Sequence, residues 1–231
     1  MRRIREIIID IRHRYPNDDF FCDFEYSCRI EPTKKKNYLA YNKALMVLDE
    51  ESWEILKNKA SKHFLDHREG QRKQGFFNQL NEAFAYQYLV VKGFKNVRFV
   101  KEGNGISPDI SFTNQRNEQS YCEVKTLGIS NNEINRRSTQ AVYDGSVFVR
   151  MNEGFLNKFR DDVTQAWEQI HSLGEKGLVF IIIRFDDITL DYYQDYRKQL
   201  IRFCKDQGFQ DLFIKIGLLG KRRISMTSDF K

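Results

Sequence analysis

The chain has 231 residues, 41% of them hydrophobic and 14% aromatic, with only 3 prolines, which excludes a disordered or low-complexity polymer. Its 38 Lys and Arg against 32 Asp and Glu give a net charge of +6, a balance that mildly favours a polyanionic partner. No apolar run approaches the ~18 residues of a membrane span, the basic start is broken by Asp10 and Arg12, and Cys22, Cys28, Cys122 and Cys204 show no CxxC spacing, so the expectation is a cytoplasmic protein with reduced thiols and no membrane contact.

In chain order, Ile4, Ile7, Ile8 and Ile11 recur at helical spacing and predict an amphipathic helix over residues 2–13. The polar, aromatic-rich stretch containing "EPTKKKN" reads as surface loop around short elements, with Lys34, Lys35 and Lys36 solvated. A second helix is predicted in "LDEESWEILKNKASKHF", with Trp53, Leu56, Ala60 and Phe64 on one stripe. A third follows in "GFFNQLNEAFAYQYLVVKGF", where Phe77, Leu80, Phe84 and Tyr88 line one face, Glu82 lies inside and Gly93 supplies the stop.

The pattern then changes to short β runs. "NVRFVKEG", "PDISFT" and "SYCEVKTL" read as three strands, the last two separated by a polar hairpin connection, "NQRNEQ". A helix through Phe155, Phe159, Val163, Trp167 and Ile170 comes next. The unbroken apolar run "GLVFIIIRF" is a strand buried on both faces. One more helix and the strand "LFIKIG" complete the series. The order predicts an α/β fold with a central mixed β-sheet flanked by helices: a mainly helical N-terminal extension over residues 1–68 and an α/β core over 69–231.

Strand alternation puts Glu123 and Lys125 on one face, with Cys122 and Val124 on the other. Asp109 heads the preceding strand behind Pro108, a position where proline removes no ladder donor. If the two strands pair, the apolar set joins the core and the charged set shares one patch. Adjacent carboxylates repel, and a cation relieves that cost. Oxygen-only ligands favour a hard ion such as Mg²⁺, and a charged lysine can serve an attacking water or neutralise charge on a phosphate.

Pro108, Asp109, Glu123, Val124 and Lys125 resemble the PD-(D/E)xK nuclease superfamily, over roughly residues 70–185 and in the order helix, three strands, helix, strand. The resemblance implies a restriction-endonuclease-like fold and a Mg²⁺-dependent nuclease, with Mn²⁺ as substitute, and not a particular substrate; the expected substrate is nucleic acid, DNA in the first instance. It implies that Asp109 and Glu123 bind the metal with the carbonyl of Val124, that Glu82 completes the shell and that Lys125 serves the water. Gln165, on the helix after the motif strands, matches the position of a glutamine that faces the site in several branches. It is followed by Gln169 rather than the tyrosine of the exonuclease pattern, and a solvated helix face is its other reading.

Arg68, Arg72, Lys73, Arg136 and Arg137 are the expected phosphate contacts. The first 65 residues would supply further substrate contacts or a homodimer surface. Two rival readings remain: a non-catalytic nucleic-acid-binding module that keeps the fold, and a zinc hydrolase on His63 and His67. The second has Asp66 where the inverted zinc-protease signature needs Glu, and lacks an evident third ligand.

Overall fold

Helix α1 (Arg2–Arg14) forms where the isoleucine spacing places it, and Ile4, Ile7, Ile8 and Ile11 are all buried. The computed structural model describes residues 1–67, 71–101, 106–128, 139, 149–184 and 191–227. Packing divides the chain into two units, one of Met1–Lys101 with Ile110–Thr113, the other of Glu102–Asp109 with Asn114–Lys231.

In the first unit, the stretch expected as surface loop forms two helices, α2 (Phe24–Ile30) and α3 (Pro32–Leu45). Pro32 opens α3, where a missing N–H costs nothing, and Tyr38, Tyr41, Ala44 and Leu45 bury the second half. The lysine run lies on the first turns of that helix and hides its period. Helix α4 (Glu50–Lys62) starts at Asp49, whose side chain accepts the Ser52 N–H at 2.8 Å, and buries the expected Trp53, Leu56 and Ala60, with Phe64 buried just beyond its end.

Helix α5 (Gln74–Val91) packs against α3 and α4 and is buried far more widely than one stripe. Every residue from Leu80 to Tyr86 is buried, and Phe76 is fully enclosed while Phe77 is half-buried. Gly93, with φ +82°, turns the chain out of the helix. Strands β1 (Lys95–Phe99) and β2 (Ile110–Thr113) pair antiparallel, with a register shift between Lys95 and Arg98 that Asn96 accommodates at φ +51°. The packing therefore joins the first four helices to α5, β1 and β2, where the sequence division at residue 68 separates them.

The second unit holds β3 (Gln119–Leu127), α6 (Glu153–His171), β4 (Gly177–Ile183), α7 (Tyr193–Asp206), β5 (Leu212–Ile216) and β6 (Arg223–Ser225). Strands β3, β4 and β5 run parallel, and β6, a strand the sequence reading did not include, pairs antiparallel with β5. The α/β class and the mixed sheet stand. Phe159, Val163, Ala166 and Ile170 of α6, with Leu200 and Cys204 of α7, share one core with Val179, Ile181, Ile183, Leu212, Ile214 and Ile216.

Gly177 lets α6 and β3 approach the start of β4: a Cβ there would lie 2.5 Å from the Tyr121 carbonyl oxygen and 2.7 Å from Ile170 Cγ2. Before β3, the turn closes on itself. Asn114 N–H donates to Glu118 O at 2.9 Å, and the Asn114 side chain accepts the N–H groups of Arg116 and Glu118. Among the described residues no helix is long and apolar enough to cross a membrane.

Candidate active site

The parallel register sets Glu123 opposite Val179 and Lys125 opposite Ile181. Residues opposed in this way point to the same face, so the charged pair lies on the face that α6 covers, next to the apolar core. This corrects the expectation that the core takes one face of β3 and the charges the other. Cys122 is fully buried on the opposite side, and Glu123 itself is only 3% exposed.

Three contacts tie the motif together. Asp109 Oδ2 accepts the Val124 backbone N–H at 3.0 Å, and the Asp109 N–H donates to Glu123 Oε2 at 3.2 Å. Lys125 Nζ lies 3.1 Å from Glu123 Oε1. The Glu123 carboxylate thus fixes the backbone of Asp109, the Asp109 carboxylate fixes that of Val124 beside Glu123, and one ammonium balances part of their charge. A carboxylate as enclosed as Glu123 needs such pairing to stay ionised.

The glutamine that reaches the site is Gln169. Its Oε1 accepts from Lys125 Nζ, and its Nε2 donates to Ser107 O at 3.4 Å, two residues before Asp109. One side chain of α6 thereby touches both halves of the motif. Gln165 is exposed, one turn earlier on the helix, in keeping with its other reading as part of a solvated face. The signal available in the sequence was the four-residue step from Gln165 to Gln169, which keeps both on nearly one face and leaves the choice to the position of β3 along α6.

Glu82 is buried in the first unit, with Oε1 2.8 Å from Lys59 Nζ. Among the described residues no group of three or more His, Cys, Asp or Glu side chains is gathered as a metal site. What Asp109, Glu123 and the Val124 carbonyl offer is an oxygen-only donor set carried by one linked segment pair. That set suits a hard divalent ion which uses one or two carboxylates and keeps several waters.

Of the expected phosphate contacts, Arg68, Arg136 and Arg137 lie outside the described residues. Arg72 is exposed and 2.6 Å from Asp19. Lys73 is corrected: it is 5% exposed, its ammonium pairs with Asp18 and sits 3.9 Å from the Phe64 ring centroid, so it is committed to the interior of its unit. His63 caps the end of α4 and meets Asp66 at 2.6 Å, while His67 contacts Leu65 O. Burial pushes the Cys204 thiol up to about 12, which suits packing and not nucleophilic attack. Comparison with family models, with curated proteins and with solved structures finds no match to this chain.

Proposed function

We propose that the chain is a Mg²⁺-dependent nuclease that hydrolyses phosphodiester bonds in DNA, an endonuclease of the restriction, repair or mobile-element type. The observation that carries this reading is the coupling of Asp109, Glu123 and Lys125: two carboxylates and an ammonium linked by contacts of 3.0 to 3.2 Å at the head of one segment and the middle of the next. The order α5, β1, β2, β3, α6, β4 and the parallel β3–α6–β4 crossover support the finer assignment of a restriction-endonuclease-like fold.

Asp109, Glu123 and the Val124 carbonyl would hold the ion, which when bound supplies positive charge to the phosphate and lowers the pKa of a bound water. The remaining chemistry belongs to the chain. Lys125 holds its proton at Nζ between Glu123 Oε1 and Gln169 Oε1, from where it can orient a water or offset charge building on the phosphate. Gln169 keeps that ammonium and the Ser107–Asp109 segment in one arrangement. The cover of α6 excludes bulk solvent from the Glu123 side, which strengthens each of these interactions.

The test is cleavage of supercoiled plasmid, linear duplex, single-stranded DNA and RNA in Mg²⁺, Mn²⁺ or EDTA, by wild type, Lys125→Ala and Asp109→Asn. Metal-dependent cutting by wild type and its loss in both variants is the expected result. A folded wild-type protein that binds nucleic acid salt-dependently, indifferent to Mg²⁺ and to Glu123→Gln, would overturn catalysis in favour of a binding module.

A further inference from the structure

We propose that the β5–β6 hairpin is a contact surface for the phosphodiester backbone of the nucleic acid, an inference that rests on the nucleic-acid function proposed above. No Asp or Glu occurs from Leu212 through Thr227, whereas Lys215, Lys221, Arg222 and Arg223 all fall there. The antiparallel register sets Arg223 directly opposite Lys215, and Lys221 and Arg222 lie in the turn that joins the two strands.

Lys221, Arg222 and Arg223 are exposed, and none of them forms an ion pair with any described residue. Elsewhere in the same unit Lys158 pairs with Asp162, Lys176 with Glu118, Lys198 with Asp195 and Arg202 with Asp206, and the exposed cations without such a pair among the described residues, Arg150 and Lys205, stand apart from one another in the sequence rather than in a run of three. Three consecutive exposed cations, Lys221, Arg222 and Arg223, with no ion pair among the described residues suit a polyanion, which they would bind with release of its counterions.

The hairpin is also held in place. Ile216 N–H donates to Arg222 O at 3.0 Å, closing the loop, and Gly217 N–H donates to Ile183 O at 2.8 Å, tying its base to the end of β4. Gly217 and Gly220 take φ values of +71° and +81°, which a tight turn at this point requires. The Arg222 guanidinium rests 5.6 Å from the Tyr193 ring centroid, so its donors are presented from a fixed stem.

Position completes the argument. Leu127, Ile183 and Ile216 end β3, β4 and β5 at one edge of the parallel sheet, the edge at which open α/β sheets bind ligands. Lys125 lies two residues short of that edge, on the face opposite the one Lys215 and Arg223 take by register, so the hairpin charges meet the site at the edge and not across one face. One strand separates β3 from β5, a lateral step of about 10 Å, which a bound duplex spans easily.

The test is fluorescence anisotropy with labelled duplex DNA, single-stranded DNA and RNA of random sequence, in EDTA so that no substrate is cut. Wild type is compared with Lys221→Gln/Arg223→Gln and with Lys35→Gln/Lys36→Gln, a pair on α3 that removes the same charge from exposed positions. The hairpin pair is expected to weaken binding about tenfold and to lower the slope of log K against log salt by about 2, with less than a twofold change in the α3 pair. Equal effects in the two pairs, or none in the hairpin pair while wild type binds, overturn the hairpin surface alone. Failure of wild type to bind any of the three probes at low ionic strength overturns this inference and the nucleic-acid reading together.

Discussion

Asp109 Oδ2 accepts the backbone N–H of Val124 at 3.0 Å, so the carboxylate proposed to hold a metal also completes the hydrogen bonding of the strand that carries Glu123 and Lys125. The two roles separate under substitution. Asp109→Asn keeps an oxygen for the Val124 N–H and removes the charge. Asp109→Ala leaves that half-buried N–H without its acceptor and should cost about 1–3 kcal/mol. The expected outcome is that both variants lose metal-dependent cleavage, while urea denaturation places only the alanine variant well below wild type. Equal stability of the two would mean that the Val124 contact contributes nothing to folding.

Gln169 tests the reach of α6 over the site. Gln169→Ala removes the acceptor from Lys125 and the donor to Ser107, and cleavage should fall about 10- to 100-fold, since a misplaced group costs rate even where the fold holds. Gln165→Ala, on the exposed face one turn earlier, should cut at the wild-type rate. Equal cleavage rates for the two variants would remove Gln169 from the site.

The difference between Gln165 and Gln169 illustrates what the sequence made legible. Period and alternation located β3, α6 and β4 and put Glu123 and Lys125 on one face, because those properties are local. The one-turn choice between glutamines depends on how far α6 slides along β3, which no local pattern encodes. The missed α3 has the same origin: its buried Tyr38, Tyr41, Ala44 and Leu45 sit behind a lysine run, and only packing against α5 gives them a reason to be helical. Lys73 read as a surface cation because charge is visible in sequence. Its burial beside Asp18 and Phe64 is a tertiary fact.

Glu82 and Lys59 offer a test of a different kind. Their 2.8 Å pair is nearly enclosed, with side-chain exposures of 6% and 16%, so removing one partner leaves a buried charge. Lys59→Met alone should destabilise the protein by about 3–5 kcal/mol, and Lys59→Met with Glu82→Leu should recover most of that loss. Cleavage separates structure from chemistry in the stable double variant. Retained metal-dependent cutting would confine Glu82 to the interior of its unit, whereas loss of cutting with the fold intact would give it the metal-shell role that the family resemblance implies.

Acid should weaken the first unit through Asp18 and Asp49. Burial raises the Asp18 carboxyl, but the hydrogen bond from Lys73, the Phe20 N–H and the charges of Lys73 and Arg72 outweigh it and hold the group below the usual aspartate range. At Asp49 burial again raises the carboxyl, and the Ser52 backbone and side chain, the Arg98 charge and the Tyr86 hydroxyl lower it by more. Groups with depressed folded pKa values stabilise the native state fully above their unfolded values of about 3.9 and lose that contribution as pH falls through the folded values. The urea midpoint of wild type should therefore stay level from about pH 6 down to about pH 4.5 with respect to these two groups and drop below about pH 4. Asp18→Asn/Asp49→Asn should start from a lower midpoint at neutral pH, since Asn retains the Asp49 cap but neither ion pair, and should fall less steeply in acid. Parallel acid limbs for the variant and wild type would locate the acid sensitivity in other carboxylates.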